Sequence, residues 1–417
     1  MFKQNGLSLD QAPPIVVVFR FFFMASIFGI IAGFEILYYQ NSIFNPTSVG
    51  ALTLAHTLTL GVMLSFMLGA LFQMLPVIAG VVLDYPIKRS LAIQVPFFIG
   101  VISLLLAFNL NYQYLYITSS IFLGFSLFSA IFMMSYRLIK IPNHTPSSRG
   151  MVIALISLFV TVLLALYLTK TLSGYGDGLL FQDIKNIHIH FGLFGWIGVL
   201  IFSIAFQVIE MFYVTPSYPE ILGKYSAYLI FLLLISTAFY PILNNLLYLL
   251  FISFSLLTLY RLTQKKRKLS DATIFFWRMG LSSLVLSMVF LVIYSFNPVL
   301  EILNIVNILF VSFGLSIVFA MLYKIIPFLT WFHLNSQGYF KAPMMHEVIH
   351  PKTAKKHFWI HFSTIISLII SIFIPMFIFI SGVLVIISFS WIAYQIIHSD
   401  LLYKKIENSG EKFEFSS

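Results

Sequence analysis

The sequence predicts an all-α integral membrane protein of twelve transmembrane helices, and three observations carry that reading. Sixty per cent of the 417 residues are hydrophobic and only nine per cent charged, which no soluble chain of this length tolerates. Apolar runs long enough to cross roughly 30 Å of hydrocarbon recur from one end to the other. A membrane β-strand would alternate over about ten residues, so helix is the element. The charges agree independently. Leaving aside the intramembrane Lys324, every lysine and arginine except Lys170 and Lys185 falls on one side of a twelve-span layout. A wrong number of spans would scramble that separation, and the positive-inside rule places both termini in the cytoplasm.

Taken in order, the spans are roughly 14–39, 49–74, 91–110, 113–136, 151–172, 187–213, 226–243, 245–262, 272–296, 302–327, 358–379 and 382–399. The first is too long for the apolar region of a cleaved signal and reads as an anchor helix. The third and fourth are separated only by Asn109–Asn111, and the seventh and eighth by Asn244–Asn245. The fifth ends in a glycine-rich external loop, Ser173–Asn186, with Gly174, Gly176 and Gly178. The longest internal connection is His333–His357, and the tail after Leu402 is charged and expected to fray. Nothing marks a second domain. Residues 1–417 read as one transmembrane domain in three pseudo-symmetric arcs of four helices, roughly 1–140, 141–265 and 266–402, followed by a cytoplasmic tail, 403–417.

Composition also excludes. The net charge of +10 reads as topology and contact with anionic lipid heads rather than nucleic-acid binding, because no soluble domain presents it. The absence of cysteine removes disulfides, iron–sulfur clusters, thiolate zinc sites and cysteine nucleophiles. The 46 phenylalanines are expected to face lipid and fill the core.

A long-period pattern recurs in the second helix of each arc. The second span reads His56-x4-Gly61-x7-Gly69-x3-Gln73-x2-Pro76, and the sixth His190-x4-Gly195-x7-Ser203-x3-Gln207-x2-Glu210. The tenth, Asn307-x4-Ser312-x7-Ala320-x3-Lys324-x2-Pro327, keeps the spacing and replaces the histidine. A repeat of this kind reports architecture, and a histidine in an apolar membrane helix is costly unless paired or ligating. His56 and His190 belong to the outer half of the membrane. Gln73, Gln207 and Lys324, seventeen residues further on, lie roughly 25 Å deeper. The small residues at plus 5 and plus 13 allow helices to approach closely. His188 stands two residues from His190, about 200° around a helix, so the two cannot face one site. Leu60, Met63, Met67 and Met74 share the helical face of His56, and thioethers there suit copper(I) or heme iron as well as plain packing. Arg20 and Glu35 of the first span can snorkel. Glu210 stands near the inner end of its span, where Lys324 is its expected ion-pair partner from matched depth.

The layout and the residues after His56 resemble subunit I of the heme–copper oxidases. Gly69-Ala-Leu-Phe-Gln-Met-Leu-Pro76-Val-Ile-Ala-Gly80-Val-Val-Leu-Asp84-Tyr-Pro86 is similar to that family's Gly-Asn-x-x-Val-Pro-x-x-Ile-Gly-x-Pro-Asp-x-x-x-Pro segment. Within that family the chain resembles the divergent NnrS-like branch, heme- and copper-containing membrane proteins linked to nitric oxide responses. The resemblance implies twelve helices, heme or copper held by His56 and His190 with His188 nearby, and respiratory or redox partners in a bacterial inner membrane. The departures are equally specific. The family needs two histidines in the seventh span and two in the tenth. The seventh span has none, the tenth offers Asn304 and Asn307, and the family's tyrosine four residues after the sixth-span histidine is Phe194. An amide is a poor ligand to iron, so oxygen reduction is not expected. The other readings are a metal-free transporter or permease and a structural subunit of a membrane complex. His346-Glu347-Val348-Ile349-His350 spells a zinc-protease motif, yet Pro343 and Pro351 bracket it and leave at most two helical turns. A surface amphipathic turn is expected there, not a protease.

Overall fold

The computed structural model describes residues 12–266 and 271–412. The cationic positions Lys3, Arg267 and Lys268, and the end of the charged tail, lie outside the described residues. The chain is an all-α membrane protein. Twelve helices are long and apolar enough to cross a membrane: α1 Ile15–Phe44, α2 Val49–Ala79, α3 Pro86–Leu110, α4 Gln113–Leu138, α5 Pro146–Leu172, α6 Phe181–Tyr213, α7 Glu220–Thr237, α8 Pro241–Thr263, α9 Ala272–Phe296, α10 Leu300–Ser336, α11 Pro351–Phe373 and α12 Phe377–Ser409.

Local chemistry explains where the helices begin and end. Proline opens α3, α5, α8 and α11 at a position where the missing N–H costs nothing. Ser48 caps α2 by accepting from Ala51 N at 3.0 Å, and Thr145 caps α5 by accepting from Ser148 N at 3.1 Å. Most helices run a few residues beyond the sequence reading, α12 as far as Ser409 rather than 399, and three helices differ for a plain local reason. α7 stops at Thr237, ahead of Pro241, rather than near 243. α11 starts at Pro351 and ends at Phe373, because Ile374 precedes Pro375 and is driven to extended backbone (φ −125°, ψ 94°). α10 runs straight through Pro327 to Ser336. A proline costs less in a membrane helix, where neighbours re-satisfy the freed carbonyl. His333 therefore belongs to α10 and not to a loop.

The described residues fall into two compact units. One comprises chiefly Gln73–Leu269 and Leu281–Val306. Within it α5 packs against α4, α6 and α7. A Cβ on Gly195 of α6 would stand 2.8 Å from Ser157 Cβ of α5, and Gly150 of α5 lies hard against Ser203. The other unit gathers Pro13–Phe72, Ser270–Gly280 and Asn307–Ser417. In it α1 packs extensively against α12. There a Cβ on Gly33 would meet Ile386 Cγ1 at 2.5 Å and the backbone atoms Gly382 O and Ile386 N at 2.9 Å. α2 packs on α1 in the same unit, with Gly61 against Phe28 and Gly69 against Phe21.

The small residues at plus 5 and plus 13 thus do the same task twice. In α2 they admit α1, and in α6 they admit α5.

Candidate functional site

His56 and His190 occupy matching backbone settings, each described within its own unit. Thr57–Leu64, starting right after His56, is π-helical, and so is Phe191–Gly198, starting right after His190. π segments are rare and concentrate at functional positions. Both rings are half-buried. His56 Nδ1 lies 2.9 Å from Leu52 O, and His190 Nδ1 lies 2.8 Å from Asn186 O, the carbonyl four residues earlier in each case. A carbonyl only accepts, so each Nδ1 carries the proton and the lone pair sits on Nε2. This is the arrangement in which a metal-ligating imidazole is oriented by its other nitrogen. The tenth-span counterpart lacks it. α10 has no π segment among the described residues, and Asn307 is exposed.

The remaining residues of the expected site fall as follows. His188 Nδ1 donates to Thr161 O of α5 at 3.1 Å and ties α6 to its neighbour. Gln73 is buried with neither amide atom hydrogen-bonded, and Gln207 is half-buried. Glu210 accepts from Tyr218 N at 2.9 Å, holding the turn after α6, where Val214 is left-handed at φ 53°. Lys324, expected to pair with Glu210, forms an ion pair within its own unit with Asp271, the residue just ahead of α9. The other oxygen of Asp271 caps α9, accepting from Thr273 N at 3.0 Å. Burial pushes its carboxyl up, but the Lys324 charge and these hydrogen bonds outweigh it and hold the group below the ordinary carboxylate value. Glu35 accepts from Thr57 Oγ1 at 2.7 Å, so this carboxylate is bonded to the first residue of the π segment rather than simply snorkelling.

The methionine stripe is also revised. The wider π turns rotate everything after Leu64 by roughly one residue, about 100°, relative to His56. Met63, Met67 and Met74 are buried in the protein, while the His56 ring is part-exposed. Among the described residues, no three His, Cys, Asp or Glu side chains stand together as a metal-holding group.

The zinc-like motif is taken up by backbone. Its helix is the four residues Met345–Val348, and Ile349 is extended at φ −134°. His346 and His350 therefore do not share a helical face. Glu347 accepts from Met344 N at 2.7 Å, and His350 Nδ1 accepts from Lys352 N at 3.1 Å to cap α11.

Sequence reasoning missed a second histidine cluster. His357 and His361, one turn apart on α11, are 0% and 2% exposed. His357 Nε2 meets Ser388 Oγ of α12 at 2.8 Å, and His361 Nε2 meets Ser316 Oγ of α10 at 3.0 Å. Phe319 lies against both rings, with centroids 4.7 Å and 5.0 Å away. The i, i+4 spacing was legible, but the lysines beside His357 suggested a boundary.

No family model matches the chain, and no curated protein matches it in sequence.

Proposed function

We propose that this chain is a heme-binding protein on the plan of heme–copper oxidase subunit I, without the oxygen-reducing site, serving a respiratory or nitric-oxide-related role in a bacterial inner membrane. One observation carries the reading. The two repeat histidines share a π segment, an Nδ1–H bond to the carbonyl four residues back, and the same packing of small residues on the preceding helix. Two such settings in the corresponding helices of two arcs argue for a common inherited task.

Of the two groups the resemblance implies, heme is the one that asks fewer donors of the protein. A copper ion held by protein alone takes several donors, and the described residues gather no three His, Cys, Asp or Glu side chains. A heme brings four nitrogens of its own and asks one axial imidazole of the protein. His56 and His190, each with its lone pair on Nε2, fit the heme. Bound, it would supply a one-electron store and an iron site for a small diatomic ligand. The protein's part is to fix each ring by the bond to Leu52 O or Asn186 O and to keep the surroundings apolar. Phe194, in van der Waals range of the His190 ring, cannot supply the phenol of an oxidase.

The test is the visible spectrum of detergent-purified protein, air-oxidised and dithionite-reduced, from cells supplied with heme. A Soret band with reduction-sensitive companions is expected, lost or shifted in His56→Ala or His190→Ala. A wild-type protein without any Soret band overturns the proposal and favours the metal-free permease.

A further inference from the structure

We propose that the α10–α11–α12 core of the second unit is a proton-conducting file, centred on His357 and His361 and opening at the Asp271–Lys324 ion pair. This inference stands apart from heme binding and uses none of its residues.

α11 carries a buried polar stripe at helical spacing: His357, His361, Thr364, Ser367 and Ser371. At 1.5 Å per residue the stripe covers about 21 Å, most of a hydrocarbon core. α12 answers with Ser381, Ser388, Gln395 and Ser399, all buried. The two stripes meet at Ser367 Oγ–Ser381 Oγ, 2.8 Å, and at the His357–Ser388 bond. α10 adds Ser316 on His361 and Tyr323, whose ring centroid is 5.7 Å from that of His357. Next to Tyr323 in sequence, Lys324 joins Asp271. The polar groups are thus ordered along the bundle, from the ion pair through Tyr323 and His357 to His361 and then the serines.

Serines alone would read as close packing. The unmade hydrogen bonds do not. His357 Nδ1, Tyr323 Oη, Trp391 Nε1 and Ser399 Oγ are all buried without a partner. The Tyr323 hydroxyl faces the Trp391 indole without reaching hydrogen-bond geometry. The Tyr323 ring lies beside that of His357, and the Trp391 indole stands near the Tyr323 hydroxyl, one turn after Ser388 on α12. Two donors and a ring nitrogen in an otherwise apolar shell are the partners an internal water takes. A tether between helices uses one bond per histidine and accounts for Nε2 of His357, but gives no task to its Nδ1 or to the Tyr323 hydroxyl whose ring lies beside it.

The chemistry balances without a co-reactant. In the tautomer that donates from Nε2 to Ser388, Nδ1 of His357 holds a lone pair and accepts a proton. The imidazolium then releases the Nε2 proton to Ser388 Oγ, whose own proton goes to an internal water on its far side, and reversal of the hydroxyl and of the ring tautomer returns His357 to its starting form. The titratable groups facing the pair are Tyr323 and, beyond it, Lys324 with Asp271. α12 brings Ser388 and Trp391, and α9 brings Phe276, none of which titrates in the working range.

The experiment uses the full chain in sealed liposomes containing a pH-sensitive dye, with a potassium diffusion potential as driving force. Proton flux above that of protein-free liposomes is expected, falling about tenfold or more in His357→Gln, which keeps a hydrogen-bonding side chain and loses the proton-carrying ring. Ile365→Val, a buried packing change on the same helix, should leave flux unchanged. Asp271→Asn should slow entry, and its loss of flux is decisive if His357→Gln proves unfolded by gel filtration. No flux in the wild type overturns the proposal, as does wild-type flux in folded His357→Gln.

Discussion

Replacing Lys324 by methionine is the sharpest test of how the second unit is held together. The Lys324 and Asp271 side chains are 18% and 26% exposed, so the pair lies between surface and interior. Surface pairs contribute about 0–1 kcal/mol, whereas breaking a fully buried one costs about 3–5. Lys324→Met leaves Asp271 its bond from Thr273 N and strips the charged donor, so about 1–3 kcal/mol is expected at neutral pH. Unfolding entropies of globular chains turn 2 kcal/mol into a fall of at least about 2 °C for a chain of this length. The pH dependence has a definite sign. Asp271 is held below its unfolded value, so its stabilisation is complete above the unfolded pKa and is lost as pH falls through the folded one. The gap between wild type and Lys324→Met should be constant near neutrality and shrink below about pH 4. Asp271→Asn combined with Lys324→Met should be more stable than Lys324→Met alone. The assay is thermal unfolding by tryptophan fluorescence in detergent, at several pH values. Identical midpoints at pH 7, or a gap that widens on acidification, would refute the reasoning.

Gly33→Ala should destabilise by about 1–3 kcal/mol, because its Cβ would press on Gly382 O and Ile386 N, backbone atoms that cannot rotate away. An unchanged unfolding midpoint would show that α1 and α12 are not so tightly joined. Arg137→Gln, which removes the exposed Arg137–Asp84 contact, should cost under about 1 kcal/mol, and less at high salt. Glu347→Gln should shift the midpoint by no more than about 1 kcal/mol, since the amide oxygen can still accept from Met344 N. Elemental analysis finding one zinc per chain, lost in His346→Ala, would overturn the backbone role given to that motif.

Much of the fold was legible because membrane burial writes itself into composition. The apolar runs gave twelve helices, and the proline and polar breaks placed most ends within a few residues. Pro327 misled because a membrane helix can carry a proline that a soluble helix would not, so His333 was left in a loop. The repeat of His56 and His190 was visible as spacing, but the π segments were not, since over-wide turns alter phase without altering residue type. That same change of phase separated the methionines from the His56 face. His357 was placed at a boundary because Lys355 and Lys356 seemed to mark the membrane surface, yet the helix begins six residues earlier, at Pro351, under the His350 cap. His361 passed unnoticed between Trp359, Ile360 and Phe362. The stripe through Thr364, Ser367 and Ser371 was the available signal. Its period is helical, and it runs polar where a lipid-facing helix would run apolar.

The pairing of α1 with α12 bears on how the protein is made. One unit is drawn largely from a continuous middle stretch, Gln73–Leu269, while the other takes Pro13–Phe72 from the start of the chain and Asn307–Ser417 from its end. During synthesis α1 must remain in the bilayer, with Gly29 and Gly33 presented to lipid, until the last helix has been inserted. Assembly of that unit is a closure over nearly the whole polypeptide, the slowest kind of contact to form. Ribosomes stalled before Phe377 would hold a chain whose first helix is packed on α2 but lacks α12, leaving the face of Gly29 and Gly33 as an exposed seam for membrane quality control to recognise.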